Sequence, residues 1–312
     1  MSEGAGSAAV PGYLATVDGT AAEVHRLGID LPVLDVLEVP ALADMAARLD
    51  EQVRMGTTKP LLRRYRAGSS GASIVLVPGL MGMAAGLNLI ADSIAADVDI
   101  YLFDYPGHRP GQAPLKSIDG LATALRAEME GAAITHDVAL YGDSLGSWVA
   151  FEAARRLSAL GTPPLFVGIG DMYSPFFNTK ESPLRPSLTQ RIRNRVRRVV
   201  KKLRRRGTRR SGARGLTPTA LMRQHAVSDA SEIARRSYDP RPYDGDLLVV
   251  VASERAPKFG ATLGYERHTT GIISTLRVAG GHSAMHREQA QPIGAAITDM
   301  LRSKARIATE PE

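Results

Sequence analysis

The chain has 312 residues, 44% of them hydrophobic, so it is long enough to bury a substantial core as one large domain or two small ones. It contains no cysteine, which excludes disulfides, thiolate metal ligands and a catalytic thiol, and which is typical of a cytoplasmic protein. Residues 185–214 hold fourteen Lys and Arg and no acidic residue. Without them the net charge of the chain changes from +7 to −7. The positive charge is therefore confined to one segment, which argues against a nucleic-acid-binding surface over the whole protein.

Residues 1–54 are predicted to be a mobile tail followed by two or three short helices. They lack the basic and apolar regions of a signal peptide, and no run of 18 apolar residues predicts a membrane span. The last of these helices carries an apolar stripe from Leu42 to Leu49. Residues 55–71 are predicted to be a linker that ends in a Gly/Ser-rich joint.

From residue 72 onward, short apolar runs alternate with helical patterns. The runs are SIVLV, VDIYLF, VALY, LFVGI, LLVVVA and ISTLRV, and a final helix is predicted at about 289–302. This alternation predicts an α/β fold with a mostly parallel sheet and helices on both faces. Residues 173–240 interrupt the alternation without a strand pattern.

A G-x-S-x-G motif, Gly142-Asp143-Ser144-Leu145-Gly146, lies between a buried strand and an amphipathic helix. Glycines in such a turn allow strand and helix to approach closely, and they leave the serine exposed at the carboxyl edge of the sheet. A serine nucleophile also needs a base, a group that orients the base, and donors for the oxyanion. Ser144 is therefore the candidate nucleophile, with a structural turn residue as the alternative.

The partners of the serine should follow in the order acid, then histidine. Asp171 ends the next strand and should lie at the same sheet edge, with Asp104 as the alternative orienting carboxylate. His282 comes directly after the last strand, with His286 as the alternative base.

The oxyanion donors are expected to be two backbone N–H groups. One belongs to Leu145, and the other to Leu80 in the loop after the first strand, with Met81 as its alternative. Residues that flank these loops are candidates for an acyl-binding pocket or for ordinary packing: Met81, Met83, Met172 and Tyr173. No metal site is predicted.

The chain resembles the thioesterase domains that end nonribosomal peptide and polyketide synthases. The resemblance rests on Asp171 and on four segments that occur in the same order along the chain: LVPGLMG, YGDSLGSWVAFEAARRL, RRSYDPRPYDGDLLVV and VAGGHSAMH. These domains belong to the α/β-hydrolase superfamily, and the resemblance covers about 72–304. It implies an α/β-hydrolase domain over 72–312 with a helical lid at 173–240. It assigns the triad roles to Ser144, Asp171 and His282, and the oxyanion hole to Leu80 and Leu145. Asp143 departs from the usual motif.

The resemblance further implies that an acyl or peptidyl chain arrives on a 4′-phosphopantetheine arm and leaves through acyl-Ser144, by hydrolysis or macrocyclisation, with no bound cofactor. The implied partners are a carrier domain and upstream synthase modules, with no nucleic acid. Within residues 1–54, GIDLPVLDVLEVPALADMAARLDEQV resembles the last half of a carrier domain. The alternatives are an editing thioesterase acting in trans, a general serine esterase and a non-catalytic binding module.

The basic segment of the predicted lid shows helical spacing. Its apolar stripe consists of Leu188, Ile192, Val196, Val199 and Leu203, and its basic face of Arg191, Arg195, Arg198, Lys202 and Arg205. That face is either solvated or docks an acidic carrier domain, a membrane surface or nucleic acid.

Overall fold

A computed structural model describes residues 60–134, 136–178 and 218–309. The strands in these ranges are β1 Leu62–Arg66, β2 Ser73–Val77, β3 Asp99–Phe103, β4 Val138–Asp143, β5 Val167–Gly170, β6 Leu247–Ala252 and β7 Ile273–Val278. The α-helices are α1 Asn88–Ser93, α2 Ile118–Gly131, α3 Gly146–Ala159, α4 Pro218–Ser237, α5 Ala256–Phe259, α6 Met285–Glu288 and α7 Ala290–Thr309. Short 3₁₀-helices cover Ala84–Leu87, Pro175–Asn178 and Tyr265–Arg267.

The described strands form one sheet in the order β1-β3-β2-β4-β5-β6-β7. β1 pairs antiparallel with β3, and every other neighbouring pair is parallel. All residues of β2 and β6 are buried, as expected for strands covered on both faces, and this explains their continuous apolar sequences. The predicted α/β architecture is confirmed.

The linker prediction for 55–71 is wrong over Leu62–Arg66, which form the edge strand β1. Leu62 is buried in the core, whereas Arg64 donates from Nε to Asp99 Oδ1 at 3.0 Å. Edge strands commonly carry charged residues that discourage pairing with other chains. The three arginines of this strand made its sequence too polar to be recognised as a strand.

Two apolar clusters cover the two faces of the sheet. On one face, α2 and α3 pack together, and α3 contributes the fully buried Trp148 and Phe151. On the other face, α1 packs against α7, which contributes the buried Ile293 and Ile297. The two clusters hold the sheet in place, and the carboxyl ends of its parallel strands meet at one edge.

The chain divides into two units. The larger one comprises the described residues of Lys59–Gly107, Gly111–Pro183 and Ala226–Glu312 and contains the whole sheet. In the smaller one, Arg223 Nε donates to His108 O at 3.0 Å.

α4 occupies the C-terminal part of the predicted lid, and its Val227 and Ala234 belong to a core cluster. The predicted basic helix with the stripe from Leu188 to Leu203, and the carrier-like segment within residues 1–54, lie outside the described residues. No helix in the described part of the chain is long and apolar enough to cross a membrane.

Candidate active site

Ser144 occupies a sharp turn between β4 and α3. Its φ of +50° lies in the left-handed region, which a serine adopts only where the surrounding structure holds it. The Ser144 N–H donates to Gly170 O at 2.8 Å and ties the turn to β5. A Cβ on Gly142 would lie 2.2 Å from the Gly146 backbone, and one on Gly146 would lie 2.3 Å from Val77 O. Both glycines are therefore required by close backbone approach.

Substituting Gly146→Ala is expected to lower the free energy of unfolding by about 3 kcal/mol, because the new methyl group would overlap Val77 O. Gly131→Ala near the end of α2 is the matched control, since a Cβ there meets open space. It should be neutral or stabilise the protein by up to about 1 kcal/mol through helix propensity. Urea denaturation measures both. Wild-type stability in the Gly146 variant would contradict the required close approach.

The side chains of Ser144, His282 and Asp171 form a hydrogen-bonded row. Ser144 Oγ lies 2.9 Å from His282 Nε2, and His282 Nδ1 lies 2.7 Å from Asp171 Oδ2. Ser144 follows β4, Asp171 follows β5, and His282 lies in the loop after β7. Because an ionised carboxylate only accepts hydrogen bonds, Nδ1 carries the imidazole proton and Nε2 is left to accept from the serine hydroxyl. The row has the geometry to take up that proton as the oxygen attacks an electrophile.

Asp171 is fully buried, and several groups compensate its charge. Oδ1 accepts from Ala252 N at 2.9 Å, whereas Oδ2 accepts from His282 and lies 3.2 Å from Arg255 Nε. The residue has a φ of +51°, and its N–H donates to Val250 O at 2.9 Å. A buried carboxylate is tolerated only with such compensation. These contacts hold the side chain in one position behind His282.

The two alternative residues do not join this row. Asp104 is buried, and its Oδ1 accepts from Ala84 N at 2.7 Å, so it fixes the start of the 3₁₀-helix after β2. His286 lies in α6 and lines the cavity beside Ser144, but the imidazole hydrogen-bonded to the serine is that of His282.

The loop that carries Leu80 packs directly against Ser144. A Cβ on Gly79 would lie 3.1 Å from Ser144 Cβ, and Leu145 follows the serine at the start of α3. Among the described residues, no acceptor takes a hydrogen bond from the backbone N–H of Leu80 or Leu145. These two groups are therefore available to a substrate oxygen. Met81, the alternative to Leu80, lies in the same loop.

A cavity of about 230 Å³ opens onto the serine and the histidine. Its polar lining comes from Asp143, Ser144, His282, Ser283 and His286, and its apolar lining includes Leu80, Met81 and Met83. The part of it that the described residues enclose is smaller than typical drug-binding pockets of about 300–1,000 Å³.

Met81 and Met83 line this cavity. Met172 and Tyr173 are not among its lining residues, and their contacts fit the alternative of ordinary packing. Met172 is only 4% exposed and belongs to a core cluster. Tyr173 packs edge-on against Trp148, whose Nε1 donates to Tyr173 O at 3.0 Å. Met172 is therefore a core residue, and Tyr173 packs against α3.

The sequence model of the thioesterase domain family matches residues 72–300, most of the chain. The chain belongs to the thioesterase family. Phenyloxazoline synthase MbtB of Mycobacterium tuberculosis is 31% identical over 150 residues, which are 46% of this chain and 10% of that protein. Thioesterase TesA of Mycobacterium marinum is 37% identical over 92 residues, 28% of this chain and 37% of that protein. Indigoidine synthase of Streptomyces lavendulae is 28% identical over 136 residues, which are 44% of this thioesterase and 10% of that synthase.

Solved structures share the fold of this thioesterase. The type II thioesterase BorB from the borrelidin biosynthetic cluster has a TM-score of 0.58 at 23% identity, covering 79% of this chain and 98% of that chain. A four-domain nonribosomal peptide synthetase bound to AMP and glycine has a TM-score of 0.63 at 16% identity, covering 100% of this chain and 27% of that chain. The predicted α/β-hydrolase fold is thus confirmed.

Arg255, which was not among the residues predicted from the sequence, reaches the buried carboxylate of Asp171 from the loop after β6. Its Nε lies 3.2 Å from Asp171 Oδ2, and Nη1 donates to Asp171 O at 3.1 Å. The guanidinium lies 6.0 Å from the ring centroids of both Tyr173 and Phe259, which stack 4.8 Å apart and help to hold it. A signal was available, since β6 pairs with β5 and a cation just after β6 should lie near Asp171.

Substituting Arg255→Met is expected to lower kcat about tenfold and to leave KM within about twofold, because Arg255 contacts the carboxylate and does not line the cavity. Arg255→Lys should recover part of kcat, since lysine keeps the charge but not the two-pronged geometry. Lys258→Met is the matched control, because it removes a nearby cation that lies over Phe259 instead. Steady-state kinetics with an acyl-thioester decide. Equal losses in the Arg255→Met and Lys258→Met variants would contradict a positioning role.

Proposed function

We propose that this thioesterase releases an acyl or peptidyl chain from a phosphopantetheine arm through an acyl-Ser144 intermediate. The observation that carries the proposal is the hydrogen-bonded row from Ser144 through His282 to Asp171 beside the cavity. The matches to MbtB and to indigoidine synthase support a place in a multidomain synthase. Its partners would then be the carrier domain that bears the thioester and the upstream synthase modules.

In the first half-reaction, His282 Nε2 takes the hydroxyl proton of Ser144 while Oγ attacks the thioester carbon. The resulting oxyanion accepts hydrogen bonds from the N–H groups of Leu80 and Leu145. Asp171 stabilises the imidazolium and keeps its ring oriented. The C–S bond then breaks, the imidazolium returns its proton to the departing thiolate, and the acyl group stays on Ser144.

In the second half-reaction, a water molecule, or a hydroxyl or amine of the chain itself, attacks the acyl-serine. His282 takes the proton of this nucleophile, and the same two N–H groups hold the oxyanion. The ester bond to Ser144 Oγ breaks, and the imidazolium returns the proton to that oxygen. Water yields a free acid, whereas an internal hydroxyl or amine yields a macrocycle. A tethered arm supplies the substrate at about millimolar effective concentration, so tight binding is unnecessary.

The intact mass of the protein after incubation with a slowly hydrolysed acyl-thioester tests this proposal. The wild type should gain the mass of one acyl group, because the ester on Ser144 accumulates. Ser144→Ala should gain none, whereas the control Ser283→Ala should still be acylated, since Ser283 lines the same cavity without a hydrogen bond to His282. An adduct that persists in the Ser144 variant would refute the assignment of the nucleophile.

An editing role in trans is the second candidate, because the match to the type II thioesterase BorB covers 98% of that chain. The two roles differ in the acyl group that is released. An editing enzyme should hydrolyse acetyl-carrier faster than a carrier loaded with the mature chain, and a releasing enzyme should show the reverse order. Comparing kcat/KM for the two loaded carriers decides between them.

A further inference from the structure

Asp143, the last residue of β4, contributes a carboxylate to the cavity beside Ser144. Its Oδ2 lies 3.2 Å from the position that a Cβ would take on Gly79, in the loop that also packs against Ser144. The carboxylate is therefore close both to the nucleophile and to the loop that carries the Leu80 N–H. The acyl-transfer steps described above give it no task.

Asp143 and Asp171 differ in how their charges are compensated. Asp171 accepts from Ala252 N and His282 and pairs with Arg255. The side chain of Asp143 makes no hydrogen bond or salt bridge to another described residue, and the groups that act on its charge favourably are the imidazoles of His286 and His282. Burial raises the pKa of Asp143, and the two histidines offset part of this effect. Among the described residues the carboxylate thus has no hydrogen-bond donor, and it lies half-buried at the wall of the cavity.

A negative charge at this position has a cost for the reaction. It opposes the negative charge that develops on the carbonyl oxygen of the thioester, and it repels any anionic group on the acyl chain. An ammonium or another strong donor in the cavity would supply the hydrogen bonds that Asp143 lacks. Hydrogen bonds to charged groups are strong enough to change selectivity roughly ten- to a hundredfold.

We propose that Asp143 is a specificity-determining residue that selects acyl thioesters carrying an amine close to the thioester carbonyl and rejects those carrying a carboxylate there. The apolar chain between these groups would lie against Met81 and Met83, which line the same cavity. This inference rests on the proposed function, because it names the class of acyl group that reaches Ser144.

The experiment compares three pantetheine thioesters of similar length: 3-aminopropanoyl, butanoyl and succinyl. They end in an ammonium, a methyl group and a carboxylate, and they share the amide N–H groups of the pantetheine arm, which therefore cancel from the comparison. The wild type should turn over the 3-aminopropanoyl thioester with a kcat/KM at least tenfold above butanoyl and about a hundredfold above succinyl. In Asp143→Asn the three values should lie within about threefold of each other.

Asp299→Asn is the matched control, because it removes one exposed carboxylate from α7 and should keep the wild-type order of substrates. The same preference in Asp143→Asn as in the wild type, or no preference in the wild type, would overturn the inference. A second readout separates it from the proposed function: the rate at which Ser144 is labelled by fluorophosphonates bearing the same three end groups. Charge-selective labelling that disappears in Asp143→Asn, without turnover of any thioester, would support the role of Asp143 and refute thioester release.

Discussion

Replacing His282 with glutamine is expected to lower kcat by about 10⁶-fold, because among the described residues His282 is the base in hydrogen-bond contact with Ser144 Oγ. Glutamine keeps much of the side-chain volume but does not act as a base, so the alkoxide would have to form unaided. The expected loss concerns the chemical step, since the backbone N–H groups of Leu80 and Leu145 and the cavity remain. Single-turnover acylation of Ser144 measures it directly.

His286→Gln provides the decisive comparison, because this imidazole lines the same cavity only four residues further along the chain. We expect it to lower kcat by less than about tenfold. His136→Gln, on the exposed surface, serves as the neutral control. A larger loss in the His286 variant than in the His282 variant would move the general base to α6 and would contradict the hydrogen bond of 2.9 Å between Ser144 Oγ and His282 Nε2.

Asp171→Asn is expected to lower kcat by about 10⁴-fold while the shape of the side chain is kept. The amide of asparagine can donate to His282 Nδ1, which would place the ring proton on Nε2 and leave no acceptor for the serine hydroxyl. The substitution would also remove the negative charge that pairs with Arg255. Steady-state kinetics combined with thermal unfolding separate the catalytic loss from any loss of stability.

Asp104→Asn is the matched control for this prediction. The oxygen of asparagine can still accept from Ala84 N, so the loop after β2 should keep its conformation and kcat should stay within about tenfold of the wild type. A comparable collapse in both variants would show that the loss in Asp171→Asn reflects general damage to the fold instead of the tautomer of His282.

Several features of this thioesterase could be predicted from the sequence because their physical causes are local or follow from chain order. Alternation of apolar runs with helical patterns indicates a parallel sheet whose strands end at one edge. Ser144, Asp171 and His282 each follow a strand, so their meeting at that edge needed no knowledge of side-chain packing. Gly142 likewise indicates a tight turn, because the Gly146 backbone that it approaches closely lies within the same motif.

Other features depend on contacts between distant segments and on the direction of each side chain. The arginine-rich strand β1 is recognisable only once it pairs with β3, 35 residues away at the Arg64–Asp99 contact. Arg255 meets Asp171 across 84 residues, in a loop without a motif.

The sequence by itself determined the fold class, the nucleophile turn and the order of the catalytic candidates, because hydrophobic periodicity and strand order are one-dimensional properties of the chain. Only the tertiary structure decided which residues face the cavity. It packed Met172 into the core and the half-buried Tyr173 against Trp148, and it left the carboxylate of Asp143 at the cavity without a donor among the described residues. That choice depends on backbone angles such as the left-handed turn at Asp171 and on packing in three dimensions, which a linear pattern does not encode.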